Sequence, residues 1–172
     1  MKRPKVMWQL TEDKKFDKLH YPLSTVKEQL IAVRAYPELI GAIRNPSVPV
    51  QIVAVREHPM VILKIKSPHK EVQKEAIRGD SGVLRQLQYA GITIGKEMQL
   101  FAVRHWPRLI VDILNPYVEA QILAVRLVPK LIAQMPKACE DVQLAAIMTD
   151  WSVYKNIQKP TENVTMMHLL ES

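Results

Sequence analysis

Five arginines recur at nearly regular intervals along the 172-residue chain, separated by 22, 22, 26 and 22 residues. They are Arg34, Arg56, Arg78, Arg104 and Arg126. A guanidinium group binds carboxylates and phosphates, so such a row predicts a surface for an acidic protein or for nucleic acid. At the end of a short helix, the same arginine could instead complement the helix dipole and bond the last free carbonyls, which is a structural role.

A second row of residues, unlike the arginines, differs from unit to unit. Two residues beyond each arginine, the side chain differs in size and charge from unit to unit. The members of this row are Tyr36, His58, Asp80, Trp106, Val128 and Asp150, the last of which follows Met148 in the place of an arginine. Large anchors such as Tyr36, His58 and Trp106 are favoured at interfaces, so we predict that they bind a partner together with the arginines. The alternative is drift at an exposed position.

No residues are spaced as a catalytic or metal site would require. The histidines fall at unrelated positions, namely His20, His58, His69, His105 and His168. No glycine-rich phosphate loop is present, and "RGDSG" at 78–82 is a degenerate repeat junction. We therefore expect a non-enzymatic protein with no catalytic residue, metal, cofactor or small-molecule substrate. A remote alternative is a HEAT-like DNA glycosylase that uses Trp106, Trp151 and Asp112, although the repeat units are short for that family.

The composition predicts the cellular compartment of the protein and the sign of its partner's charge. Twenty-four basic and seventeen acidic side chains give a net charge of +7, which favours an acidic partner. No apolar run has the length of a signal peptide or a membrane span. The single cysteine, Cys139, excludes an internal disulfide and fits a reducing compartment. The sequence thus predicts a cytoplasmic protein with no membrane partner.

The elements that position the arginines come from an internal repeat. Each arginine lies five residues after a glutamine, and between them stand an invariant alanine and a β-branched residue. The glutamines are Gln29, Gln51, Gln73, Gln99, Gln121 and Gln143. Proline follows eight residues after four of them, with large apolar residues three and six places further on and a turn such as "NPS" at the end. We count six such units over residues 26–161.

Each unit reads as two short amphipathic helices. Helices of about two to three turns are marginal in water, so each must bury its apolar face against the next unit. We therefore predict one all-α domain over 1–172: a right-handed α-α superhelix, or solenoid, of six two-helix repeats between caps at 1–25 and 162–172. A four-residue insertion near 89–98 either bends the stack or contributes to a binding face.

One polar residue, a glutamine, recurs at the same position in all six repeat units. It stands beside apolar residues at the edge of the predicted core, where its amide could bridge the main chain of its own and the neighbouring turn. We favour this internal ladder over a role in reading a ligand.

Residues 26–170 resemble two related groups of helical repeats. One is the leucine-rich-repeat variant, whose short unit has a "VR..VA" helix and an "NP" turn. The other is an uncharacterised phage and bacterial repeat of the form VQLAAV followed by NPS, similar to "VQLAAI" at 142–147 and "VQIVAV" at 50–55. The first group implies a right-handed superhelix of α- and 3₁₀-helices. Neither group implies an activity.

The expected function is that of a macromolecule-binding scaffold. We expect an elongated basic face to bind an acidic protein surface, and the phage resemblance suggests a host protein that is inhibited or redirected. Nucleic acid bound along the arginine row is the alternative.

Overall fold

The computed structural model describes residues 25–171, the last of them by its main chain only, and every regular element in this range is a helix. The predicted N-terminal cap, 1–25, lies outside the described residues except for Thr25, whose hydroxyl caps the first helix. No helix between residues 25 and 171 is long and apolar enough to cross a membrane.

Two kinds of short helix alternate along the chain. The α-helices are α1 (Val26–Ala35), α2 (Val48–Glu57), α3 (Lys70–Gly79), α4 (Gly82–Tyr89), α5 (Lys96–His105), α6 (Val118–Leu127), α7 (Glu140–Thr149) and α8 (Glu162–Glu171). Between them lie the 3₁₀-helices η1 (Pro37–Ala42), η2 (Pro59–Lys64), η3 (Pro107–Asp112), η4 (Pro129–Gln134) and η5 (Trp151–Asn156).

The second helix of a unit is a 3₁₀-helix in five of the six units, which refines the predicted pair of α-helices. Proline occupies the first position of η1 to η4, where its missing N–H is not needed and its fixed φ suits a helix start. Of the recurring apolar pair, Ile40 lies within η1 and Ile43 follows it as an extended C-cap residue, and both are buried.

The third unit differs because it contains the insertion. Its second helix, α4, is an α-helix that ends in a Schellman motif: the N–H of Ile92 bonds the Leu87 carbonyl at 3.0 Å, and the N–H of Gly91 bonds the Gln88 carbonyl at 2.9 Å. Gly91 has a φ of 77°, a conformation that residues with a Cβ adopt at a cost. The four extra residues therefore lengthen the helix and supply its cap.

The core is built from contacts between units that are adjacent in sequence. Each of the α-helices α1, α2, α3, α5, α6, α7 and α8 packs against the next in this order, and η1 packs against η2 as η4 does against η5. All six invariant alanines and the β-branched residues after them have no exposed surface, from Ala32 and Val33 to Ala146 and Ile147. Small side chains here let neighbouring helices approach closely.

The predicted C-terminal cap, 162–172, contains α8. This helix packs against α7 and buries Val164 completely. Its own apolar residues Met166, Leu169 and Leu170 are 61%, 70% and 82% exposed. The helix thus covers α7 and places apolar side chains of its own on the surface.

Five of the glutamines bond the turn of their own unit, and two of these also bond the next turn, as the predicted ladder requires. In Gln51, Gln73, Gln99, Gln121 and Gln143, the side-chain N–H donates to the carbonyl five residues earlier, at 2.8–3.1 Å. Gln99 also donates to the Asn115 carbonyl and accepts the N–H of Tyr117 at 2.8 Å, so it ties its own turn to the next one. Gln143 makes the equivalent bonds to Lys159 and Thr161.

Replacing Gln99 by alanine should destabilise the protein by about 3 kcal/mol, because three main-chain groups lose partners and a nearly buried side chain leaves a cavity. Gln73→Ala removes the same side chain but only one described main-chain bond, and should cost about 1 kcal/mol. Urea unfolding followed by circular dichroism measures both. Equal losses would contradict the bridging role of Gln99.

Replacing Gly91 by alanine should cost about 1 kcal/mol, because a left-handed residue with a Cβ is strained. Gly91→Asn should cost clearly less, since asparagine tolerates this conformation better. Thermal unfolding of the two variants beside the native protein measures the difference. A Gly91→Ala variant as stable as Gly91→Asn would show that the Schellman turn can relax.

Candidate interaction surface

The α-helices of successive units lie side by side and run in the same direction, so that their N-terminal ends are neighbours. Near their N-terminal ends, Lys70 and Glu97 lie 3.7 Å apart, Lys96 pairs with Glu119, and Asn163 donates to Glu140 at 2.9 Å. Each pair joins the first turn of one α-helix to the first turn of the next. The opposite ends therefore form a common edge, which we call the C-terminal edge.

All five arginines of the row lie in the last turn of their α-helices, on the C-terminal edge. Their side chains are exposed. This position complements the helix dipole, as the structural interpretation requires. However, none of the five donates a side-chain hydrogen bond to a main-chain carbonyl of residues 25–171, so their donors do not cap the helices.

One carboxylate divides the row. Glu75 accepts from Arg56 at 2.8 Å through one oxygen and from Arg78 at 2.6 Å through the other. The Arg78 guanidinium also lies 5.5 Å from the centre of the Phe101 ring. Arg56 and Arg78 therefore share one carboxylate, which offsets one of their two positive charges and interrupts the basic row.

The same helix, α3, has further charge pairs. Lys74 lies 2.8 Å from Glu97 and 3.3 Å from Glu71. The bond to Glu97 is the main cause of a raised Lys74 pKa, and Lys74 in turn lowers the pKa of Glu97. Because the folded-state pKa of Glu97 is depressed, the stabilisation is present above the usual glutamate pKa and is lost as pH falls through the lowered value. The middle of the α-helical layer is thus a self-compensated band of charge.

Arg104 and Arg126 differ from that pair, because neither forms an ion pair with any described residue. Between and beside them, α6 and α7 expose apolar side chains: Leu127 is 47% exposed and Met148 is 68% exposed. We call this surface the α5–α7 face and define it by Arg104, Ile122, Leu123, Arg126, Leu127 and Met148. It combines unneutralised guanidinium groups with apolar contact area, the composition of an interface core.

Arg34 also has no ion pair among the described residues and lies near exposed Ile31. It is at the other end of the layer, separated from Arg104 by the arginines on Glu75. The structure therefore brings Arg104 and Arg126 together on neighbouring α-helices and leaves Arg34 apart.

The predicted partner-binding residues of the variable row are placed differently from one another. Trp106 lies on the C-terminal edge, 43% exposed, and its indole N–H donates to the carbonyl of Ile77 at 3.1 Å. The His58 ring lies 2.9 Å from Glu38, whose pKa is lowered mainly by Lys64 and also by His58. Tyr36 is half-buried. Trp106 is thus the one of the three that adjoins Arg104.

Two members of the variable row have a local role that the sequence interpretation missed. Asp80 accepts the N–H of Gly82 at 2.8 Å, and Asp150 accepts the N–H of Ser152 at 3.0 Å. These are the two units that have Ser81 or Trp151 in place of proline. An aspartate cap therefore starts the second helix where the proline is missing, and the coincidence in sequence could have predicted it.

The residues considered for a metal site or for a glycosylase site have other neighbours in the described part of the chain. No group of three or more histidine, cysteine, aspartate or glutamate side chains is close enough to hold a metal ion there. Of the residues considered for a glycosylase, Asp112 accepts from Arg85, whereas the Trp106 indole is bonded to Ile77. No hydrogen bond joins Asp112 to Trp106 or Trp151 within residues 25–171.

The insertion lines an open cleft of about 560 Å³ on the turn side of the molecule, between Gly91, Ile94, Asn115 and Tyr117. Leu114 at its rim is 70% exposed. The Gln88 side chain, which bonds the main chain of Asp112 and Leu114, fixes one wall. This cleft has no unpaired charged group of its own, so we give preference to the α5–α7 face.

The apolar members of the α5–α7 face were also missed, although the sequence contained a signal. Helix α7, "EDVQLAAIMT", has apolar residues on every side, and a helix that packs only between two neighbours must expose some of them. The sequence interpretation had noted Met148 only as the residue in the place of an arginine and had not considered Leu127.

Glu75→Gln should free Arg56 and Arg78 and strengthen binding to a polyanion. Glu57→Gln changes the net charge equally on an exposed side chain with no ion pair among the described residues, and is the matched control. On heparin, we expect the salt dependence of binding to steepen by about one per freed arginine for Glu75→Gln only. Identical behaviour of the two variants would show that Glu75 does not mask the arginines.

No protein-family model, curated protein or solved structure matches the chain. Its function is therefore inferred from its own residues and their arrangement.

Proposed function

We propose that the chain is a non-enzymatic scaffold that binds an acidic protein through the α5–α7 face. The observation that carries the proposal is the pair Arg104 and Arg126, unpaired among the described residues and set among exposed apolar side chains. Elsewhere on the α-helical layer, Lys70, Lys74 and Lys96 are each paired with a glutamate and Arg56 and Arg78 share one, whereas Arg34, unpaired among the described residues, has no second unpaired arginine on the next helix. A surface that leaves both charge and apolar area unsatisfied gains most from a partner that supplies carboxylates and apolar side chains.

The scaffold that we propose is a right-handed solenoid of six two-helix repeats. Packing between units adjacent in sequence and the side-by-side arrangement of α-helix ends support it. In such an array, each unit depends on its neighbours for stability, while its outer residues are available for binding.

A protein partner is preferred over nucleic acid because of what lies between the arginines. A phosphate backbone is best followed by a continuous line of positive charge, and Glu75 interrupts this line. Exposed Leu127 and Met148 contribute little to a phosphate and much to a protein interface.

Nucleic acid remains the second candidate, favoured by the net charge of +7 and by five arginines on one edge. A mobility shift with duplex DNA and with RNA at about 50 and 200 mM salt separates the candidates. Nucleic-acid binding would be lost steeply between the two concentrations, whereas no binding at the lower one would remove this candidate.

The resemblance to a phage repeat extends the proposal to a host protein that binding inhibits or redirects. The lone cysteine supports a reducing compartment, and we place the interaction in the cytoplasm.

The proposal predicts that Arg104→Glu/Arg126→Glu abolishes partner binding. Arg44→Glu/Lys66→Glu reverses the same number of charges at exposed positions near turns, away from the face, and should leave binding intact. Tagged native protein and both variants are used for affinity capture from the cells that naturally contain the protein, and retained proteins are then tested for direct binding by calorimetry. If the face variant and the control capture the same proteins as the native chain, the α5–α7 face is not the binding surface.

A further inference from the structure

We infer that the segment which binds the α5–α7 face is an acidic amphipathic α-helix, lying across α5, α6 and α7. This inference rests on the proposed function and adds the shape and the residue pattern of the partner. It follows from the main-chain hydrogen bonding of the face, the spacing of its arginines and its apolar content.

The main chain of the face excludes an added strand. A peptide that binds as a strand needs unpaired N–H and C=O groups along an edge. The α5–α7 face consists of helix surfaces, whose N–H groups bond within each helix. Only the last carbonyls of each helix lack a partner within it, so the face offers no row of alternating free N–H and C=O groups. A partner must therefore bring its own satisfied main chain, as a helix does.

The spacing of the arginines fits a helix that crosses the layer. Arg104 and Arg126 occupy the same position on neighbouring α-helices, and packed helices lie about 8–10 Å apart. In a partner helix, residues seven apart lie on one side and are separated by about 10.5 Å. Two carboxylates at positions i and i+7 could thus pair with the two guanidinium groups.

Apolar residues of the face complete the pattern. Leu123 and Leu127 lie on one stripe of α6, next to Arg126. Met148 occupies the place of the arginine on α7 and is 68% exposed. A helix that follows the row therefore meets two arginines and then a methionine, and should present two acidic residues followed by an apolar one on the same side.

The charges around the α5–α7 face favour an acidic partner helix. Of the acidic groups on the C-terminal edge, Asp150 is engaged by the N–H of Ser152, which lowers its pKa together with the nearby Lys130 and Lys155. Exposed Arg108, four residues after Arg104, adds a further basic group with no ion pair among the described residues. On the opposite edge, Glu119 is paired with Lys96, whose bond lowers the Glu119 pKa. The lowered pKa keeps Asp150 ionised, but Arg104, Arg108 and Arg126 outnumber it, so the net charge around the face is positive.

The test uses a fluorescein-labelled synthetic helix with glutamates at i and i+7, a leucine at i+14 and further leucines on the same side between them. Fluorescence anisotropy with the full chain should show binding, weakened at least about tenfold by Arg104→Glu/Arg126→Glu and unchanged by Arg44→Glu/Lys66→Glu. A second peptide with lysines for the two glutamates should bind the Arg104→Glu/Arg126→Glu variant and not the native chain. That exchange also shows that the variant is folded.

Three control peptides locate the effect. Moving the second glutamate to i+4, scrambling the sequence, or placing a proline in the centre should each weaken binding about tenfold or more. Equal binding of native chain and face variant, or equal binding of the scrambled peptide, would overturn the inference, as would no binding at about 1 mM peptide. If partners are captured through Arg104 and Arg126 but the helix does not bind, the proposed function stands and only the helical partner is wrong.

Discussion

Everything in this molecule depends on burial between neighbours, because no helix in the described range is long enough to be stable alone. Ten residues is below the length at which isolated helices persist in water, and the 3₁₀-helices are shorter still. The alanine and β-branched residue of each unit meet this constraint, being fully buried in all six units. With stability supplied by these few positions, the outward side of each α-helix is free to differ between units, and the α5–α7 face is a product of that freedom.

Most of the structural features that recur from unit to unit could be predicted from the sequence. The glutamine, alanine and proline positions indicated an all-helical chain, helix starts and a bridging amide, and the burial and hydrogen bonds of Gln99 and Ala102 agree. One local feature could have been predicted but was missed, namely the aspartates Asp80 and Asp150 that accompany a missing proline. The sharing of Glu75 by two arginines of the row could not be predicted, because Glu75 and Arg56 lie 19 residues apart in the sequence. That pairing depends on how two helices pack and not on any local pattern.

The candidate surface was therefore only partly predictable. Arg104 and Arg126 belong to the predicted row. Trp106 follows Arg104 by two residues but bonds Ile77 of α3, and His58 and Glu38 form a separate exposed pair. The apolar half of the surface was missed, although Met148 stands at the repeat position that is arginine in the other five units. Their exposure becomes apparent only when the neighbours on each side are known, since a helix within a single layer has one side that nothing else covers.

The hydrogen bonds of Gln99 have a consequence for recognition. By joining the turn before α5 to the turn before α6, this side chain sets the separation of the two helices that carry Arg104 and Arg126. In the proposed interaction, a partner would meet two guanidinium-bearing helices that are already held in place, so little conformational entropy would be lost in arranging them. The buried amide would then contribute to the affinity for a partner that it never touches.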